Sequence, residues 1–425
     1  MLGKLMKLYY TSCNYIGAYF TRRCLNLQAV GLVVEYNPFH NGHLHHVQEA
    51  KRVTKADIAI AVMSGQFLQR GEPALVNKWT RTKMARASGV DLVIELPYVY
   101  STAPANEFAR GAITLLDAIH CSSFAFGSEQ GTIIPFLNTF SLIESNRQQY
   151  NALIQQTIGT GVSYPQALHL AYEALKSRYP NDYIDLAQPN NILGFHYIEA
   201  AKALNSTMQA VTIQRIEAGY YDDINLEKHI ASATGIRKAL FNNEDVQRFL
   251  PEPSYVALRD WQAQHGKFMS WEALWPLLQY AILRHTPQQL TAFADVQEGL
   301  EHALIKHAKT SSSYAEFMAK LKSKRYTWTR LQRMLTHVYT GVTKEQLHTF
   351  NSPTFIRLLG MTENGQRYLS MYKKRIELPL ISRVAAIKDP MLTLDIQATT
   401  MYNLGLGLFS TKKIDEDIQS PPIRV

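Results

Sequence analysis

Short apolar runs and stretches of helical spacing alternate through the first half of the chain. The run at 29–35 (Ala-Val-Gly-Leu-Val-Val-Glu) is followed by helical spacing over 42–53, and the run at 57–64 by helical spacing around 77–89. A third run at 91–96 precedes a helix near 105–119, and a fourth at 123–129 precedes helical sequence from about 133. Near-continuous apolar runs of this length read as strands covered on both faces. Their alternation with helices predicts an α/β fold on a Rossmann-like parallel sheet. Ligands in such sheets sit beyond the carboxyl ends of the strands. The segments 40–43, 64–72, 97–106 and 127–131 are therefore expected to share one crevice. Helical spacing returns at 164–178 and 190–204, and a strand-like 211–217 leads through Gly219 and Tyr220 to a helix over 229–240. From about 245 the pattern changes, and 254–350 carries helical spacing with few β-branched runs. The expected organisation is an extension over 1–27, a sheet domain over 28–245 and a mainly helical C-terminal domain over 246–425. The tail beyond Lys412 is expected to fray.

Composition narrows the class. With 425 residues, 46% hydrophobic and 19% charged, the chain has the size of two or three domains with a substantial core. Cys13, Cys24 and Cys121 are too few and too irregularly spaced for a disulfide framework or a zinc site, which fits a reducing cytoplasm. No apolar run reaches the roughly 18–20 residues that span a bilayer. Residues 1–27 carry Lys4, Lys7, an aromatic-rich centre and Arg22-Arg23 but no signal-peptide cleavage pattern, so they read as an added extension or an over-early start codon. A net charge of +9 favours a polyanionic partner.

The first strand breaks at Asn37-Pro38 and delivers His40 and His43 around Gly42 at the start of a helix. A strand feeding a helix N-terminus presents free N–H groups and the positive dipole end to an anion. Two imidazoles in the first turn add donors for phosphate oxygens, and Gly42 lets backbone approach a ligand or a neighbouring strand. His40, His43, His45 and His46 also admit a metal reading, but no cysteine lies nearby and the one close acidic residue on the helix is Glu49. A purely structural turn is the remaining alternative. The motif 232–237 (Ser-Ala-Thr-Gly-Ile-Arg) opens another helix. There Ser232 and Thr234 are capping types able to hold phosphate, and Arg237 is a fork suited to its oxygens. Together the two motifs point to a nucleotidyltransferase, in which an α-phosphate is attacked and pyrophosphate leaves, with His40, His43 and Arg237 as the catalytic set.

Longer strings carry a resemblance. Residues 31–43 (Gly-Leu-Val-Val-Glu-Tyr-Asn-Pro-Phe-His-Asn-Gly-His) resemble the opening signature of the bacterial tRNA(Met) cytidine acetate ligase family. So do 63–73 (Met-Ser-Gly-Gln-Phe-Leu-Gln-Arg-Gly-Glu-Pro), 91–97 (Asp-Leu-Val-Ile-Glu-Leu-Pro), 126–129 (Phe-Gly-Ser-Glu) and 189–194 (Pro-Asn-Asn-Ile-Leu-Gly). The likeness runs from about Ala29 to about Val384, and the extension before Gln28 departs from the family's usual start. It implies that ATP and acetate form acetyl-adenylate and pyrophosphate, and that the acetyl group passes to N4 of the wobble cytidine of elongator tRNA(Met). The nucleotide-binding positions it implies are Val33, Val34, Glu35, Tyr36, Asn37, Pro38, Phe39, His40, Asn41, Gly42, His43, Leu44, His45 and His46, with Gly127, Asn190 and Arg215. Asn190 could equally cap the helix that follows it. Mg2+ on the phosphates is plausible, but no carboxylate cluster identifies protein ligands for it.

Two basic clusters are candidates for RNA. One holds Lys78 and Arg81; the denser one holds Lys324, Arg325 and Arg330, interleaved with Tyr326 and Trp328. A solvated helix face with both aromatics in the core is the plainer account of the second. A small-molecule adenylyltransferase acting on a cofactor precursor is the alternative function, and an RNA-binding protein with a degenerate nucleotide fold is a third.

Overall fold

The computed structural model describes residues 27–162, 164–215, 229–410 and 414–424. The extension at 1–26 and the connection through Gly219 and Tyr220 lie outside the described residues. The four apolar runs form β1 (Ala29–Val34), β2 (Ile58–Ser64), β3 (Leu92–Leu96) and β4 (Ser123–Ser128), and β5 is Gln209–Gln214. Every residue of β2 and β3 is buried, as strands covered on both faces require. Helices α1 (Asn41–Thr54), α2 (Lys78–Ala87) and α3 (Ala105–Ala118) follow the first three strands. After β4 come α4 (Ile134–Ser145), α5 (Arg147–Ile158), α6 (Tyr164–Lys176) and α7 (Pro189–Ala203), and after β5 comes α8 (Ala233–Phe241).

The sheet order is β5-β4-β1-β2-β3, all parallel, continued by two further strands. The chain therefore steps outward from β1 through β2 to β3 and then returns to the other side of β1 as β4. The order reverses between β1 and β4, and that switch point is where an open parallel sheet leaves a crevice.

The expected boundary at 245 does not divide the structure into independent halves. Residues 252–348 are mainly helical, a series of helices that includes α9 (Trp328–Thr340). The chain then returns to the sheet as β6 (Ile356–Met361), antiparallel to β3, and β7 (Leu380–Ile381), parallel to β6. A 17-residue helix, α10 (Pro390–Leu406), meets the start of α2, where Thr399 accepts from Lys78 at 3.1 Å. The described part of the tail is not frayed. Asp417 is 2% exposed and accepts from Lys78 (2.9 Å) and Arg357 (3.1 Å), while Ile423 pairs with Gly360. A charged tail stays folded here because its carboxylate completes a buried ionic cluster.

Candidate nucleotide site

The turn after β1 builds the site from its own backbone. His40 is the N-cap of α1, in extended conformation, and its Nδ1 accepts from the Gly42 N–H at 3.0 Å. His43, three residues on, accepts the His40 N–H on its own Nδ1 at 3.3 Å. This is a capping box with imidazoles in the places usually taken by Ser/Thr and Glu/Gln. Because each Nδ1 accepts, each neutral ring carries its proton on Nε2. The rings stack with centroids 3.8 Å apart and planes 27° from parallel, and Tyr36 and Phe39 close around His43 at 5.0 and 5.7 Å. At Gly42 a Cβ would lie 2.9 Å from His40 Cε1, so the ring is seated against bare backbone.

A cavity of about 260 Å³ opens at the switch point between β1 and β4. Of the run expected to bind nucleotide, Val33, Val34, Glu35, His40, Gly42, His43, His45 and His46 line it. Gly127, Asn190 and Arg215 line it as well. Asn190 is not a cap: the N-cap of α7 is Gln188, and Asn190 donates to Glu129 at 2.6 Å. Tyr36, Asn37, Pro38, Phe39, Asn41 and Leu44 do not line the cavity. Tyr36 and Phe39 are core residues, Asn37 holds the Leu75 N–H at 2.7 Å, and Asn41 donates to the carbonyls of His229 and Arg248.

The second motif is near the cavity but not on its wall. Ser232 is the expected N-cap, its hydroxyl accepting from Gly235 N at 3.0 Å. Arg237 donates to the Asn37 carbonyl at 3.0 Å, to Glu72 at 3.4 Å and to Thr234 at 3.4 Å. It stands behind the histidine turn, close enough to act on His40 electrostatically.

Sequence reasoning did not single out Gln69, Leu193 and Tyr197, which also line the cavity. The last two follow Asn190 at three and seven residues, the spacing of one helix stripe, and that was the available signal. Gln69 and Arg70 reach the cavity because their loop is pinned at Gly71. There φ is +76°, and a Cβ would lie 2.3 Å from the Arg333 nitrogen. The Gly71 carbonyl accepts from Trp271 Nε1 and Thr336 Oγ1 at 2.8 and 2.9 Å.

Burial first, and then the Arg215 and Arg237 cations, push the His40 imidazole down to about 3. Burial and the neighbouring His40 and His46 rings hold His43 well below the ordinary range, and burial with Arg215 takes His46 to about 4. All three are neutral donors at neutral pH. Burial pushes the Glu35 carboxyl upward, against a 2.8 Å bond from the Gln69 N–H. The His40 shift has a consequence for stability. The unfolded chain takes up a proton near pH 6.5 that the folded ring refuses until about 3, so this contribution is present above 6.5 and is lost as pH falls. His40→Asn keeps a good N-cap and removes the titration. Between pH 7 and 5 the wild type should lose up to about 2 kcal/mol more than this variant in urea unfolding. Parallel stability–pH curves would contradict the assignment.

The expected RNA contacts divide. Lys78 and Arg81 are fully buried and cannot meet RNA in this fold. Lys78 pairs with Glu95 and Asp417 at 2.7 and 2.9 Å. Arg81 donates to the carbonyls of Glu35, Ser64, Gly65 and Val76, riveting the ends of β1 and β2. Lys324 and Arg325 are exposed, with Arg325 paired to Glu298 at 2.7 Å. Arg330 is half-buried, held by Asp295 at 3.1 Å and lying over Tyr326 at 4.7 Å. Tyr326 is a core residue, whereas Trp328 is 43% exposed.

The chain matches the family model described as HIGH Nucleotidyl Transferase over residues 27–417. It is 61% identical over 402 residues to the tRNA(Met) cytidine acetate ligase of Lysinibacillus sphaericus, covering 94% of this chain and 100% of that protein. It is 46% identical to the protein of the same name from Bacillus subtilis, with 89% and 92% covered. The apo crystal structure of Thermotoga maritima TmcAL superposes with a TM-score of 0.87 at 30% identity, covering 94% of this chain and 100% of that one. The same Thermotoga protein bound with alpha-thio ATP gives 0.84 at 31%, with the same coverage. Near-complete coverage at this identity, on a sheet that ends in a stacked histidine pair, shows that the chain belongs to the tRNA(Met) cytidine acetate ligase family.

Proposed function

We propose that this protein is an ATP-dependent ligase that activates acetate as acetyl-adenylate and acetylates N4 of the wobble cytidine of elongator tRNA(Met). The observation that carries the proposal is the pair of stacked imidazoles, each accepting a backbone N–H on Nδ1, lining a cavity that also receives Arg215.

Acetate is a weak nucleophile bearing the same sign of charge as ATP, so the site must hold the two in line and screen their repulsion. An acetate oxygen attacks the α-phosphorus, a P–O bond forms, and the bond to pyrophosphate breaks. His40 and His43 offer N–H donors fixed before the reaction, and Arg215 and Arg70 offer positive charge on the same wall. Arg237 supports the pair from behind through the Asn37 carbonyl and its own field on His40. N4 of cytidine then attacks the acyl carbon, the bond to AMP breaks, and the N4 proton leaves on the AMP phosphate. Among the described residues no group of three or more His, Cys, Asp or Glu side chains is placed to hold a metal ion. A Mg2+ ion would accordingly enter on the triphosphate as part of the substrate, keeping several of its waters.

The test is to incubate the protein with ATP and labelled acetate, with and without total bacterial tRNA, and to digest the RNA. Label in N4-acetylcytidine is expected. Pyrophosphate release with no RNA product would favour an adenylyltransferase acting on a small molecule. The exposed Lys324 and Arg325 would contribute backbone contacts. Neutralising both should flatten the salt dependence of tRNA binding by about one to two units of log–log slope. An unchanged slope would assign that cluster to another purpose.

A further inference from the structure

A second cavity, of about 930 Å³, lies beside the first. Helix α7 is the partition between them. Asn190, Leu193 and Tyr197 face the first, while Ile192, Phe195, His196 and Glu199 face the second, as two neighbouring stripes of one helix. The two cavities meet at Gln69 and Arg70, which line both.

The second cavity has the chemistry of a polyanion site with room for a base. Arg70, Arg147, Arg325, Arg330 and Arg333 border it, against the carboxylates of Glu199 and Asp295. Phe195 and Tyr150 supply aromatic surface. Two buried polar atoms in its lining residues, His169 Nδ1 and Arg333 Nε, have no hydrogen-bond partner among the described residues. Guanidinium groups suit phosphate oxygens, and unpaired RNA bases seat against aromatic faces. At the junction, Gln69 donates Nε2–H to the Ala103 carbonyl at 2.9 Å and its backbone N–H to Glu35. Its Oε1 makes no hydrogen bond to a described residue, which leaves an acceptor beside the nucleotide cavity.

We infer that the second cavity receives the unpaired target nucleotide of the RNA, its phosphates on the arginine wall and its exocyclic amine on Gln69 Oε1. The inference rests on the RNA-acetylating reading above and adds where the cytidine enters. It also gives a reason for cytidine over uridine. A uracil would turn a carbonyl oxygen toward the Gln69 oxygen, and two acceptors facing each other lose the bond and repel.

The test compares the whole enzyme with Arg147→Gln and Arg147→Lys. Arg147 sits on the rim, bonded to Glu144 and Glu199 at 2.6 and 3.3 Å. Two rates are read: acetate-dependent ATP–pyrophosphate exchange without RNA, and acetylation of a tRNA transcript. In Arg147→Gln the ratio of acetylation to exchange at low tRNA should fall about tenfold, through KM, as expected for one lost phosphate contact of about 1.4 kcal/mol. Arg147→Lys should recover most of it. A transcript with 4-thiouridine next to the target should cross-link to peptides within 147–199 or 325–333. An unchanged ratio, or cross-links confined to other peptides, overturns the inference and leaves the acetylation reading standing. A wild-type enzyme that exchanges pyrophosphate but modifies no RNA overturns that reading as well.

Discussion

Replacing His43 with alanine will slow acetate-dependent ATP–pyrophosphate exchange by about 10²–10³-fold while the protein stays folded. That range is the usual loss for one preorganised donor to developing charge. The fold should survive because alanine is a good helix former at this position, and His40 keeps its own half of the capping box through the Gly42 N–H. The exchange should fall because the ring is placed by several contacts at once. It stacks on His40 at 3.8 Å, packs edge-on to Tyr36 and takes the His40 N–H on Nδ1, which commits Nε2–H to donation. Such a donor acts as charge builds on the α-phosphate and pyrophosphate, so kcat should carry most of the loss and the KM for ATP little. The His40 imidazole, pushed down to about 3, also implies that exchange has no acid limb from this ring between pH 5 and 8. Exchange at the wild-type rate in His43→Ala would remove the histidine from the catalytic set.

The parts of this architecture legible in the sequence are those fixed by local pattern. The apolar runs at 29–35, 57–64, 91–96 and 123–129 became adjacent parallel strands because a strand covered on both faces has no polar positions to interrupt it. The His40–His43 turn was readable for a similar reason: strand, Pro38, Gly42 and helix start are consecutive in the chain. What sequence did not reveal depends on residues that meet only in space. Nothing local marks 356–361 as the strand that closes the sheet beside β3, since its partner lies more than 250 residues earlier. Lys78 and Arg81 look like surface cations within Asn-Lys-Trp-Thr-Arg-Thr-Lys, and only the fold shows the carboxylates and strand-end carbonyls that hold them inside. Arg237 has the fork that suits phosphate oxygens, yet Glu72 and the Asn37 carbonyl take its donors first.

Lys78→Met will destabilise the protein by about 3–5 kcal/mol, the cost of leaving buried charge without its partner. The ammonium is fully buried and bonds to Glu95 at 2.7 Å, Asp417 at 2.9 Å and Thr399 at 3.1 Å. Arg357, equally enclosed, bridges the same two carboxylates at 2.9 and 3.1 Å. Burial first, and then the nearby Glu95 charge, push the Asp395 carboxyl upward, against the Tyr98 N–H it accepts at 2.7 Å. In these ion pairs two cations face two carboxylates, and removing Lys78 leaves one of the paired negative charges with no counterpart. The cluster joins α2, β3, β6, α10 and the tail, so the loss falls on the seam between the sheet and the C-terminal segments. The urea midpoint should drop with little change in m, and the second variant decides the cause. Lys78→Met combined with Asp417→Asn restores neutrality around Arg357 and Glu95, and should recover part of the loss although it removes a further native contact. If the double variant is less stable than Lys78→Met by the full cost of Asp417→Asn alone, the two sites act independently, and charge balance is not what holds the tail to the sheet.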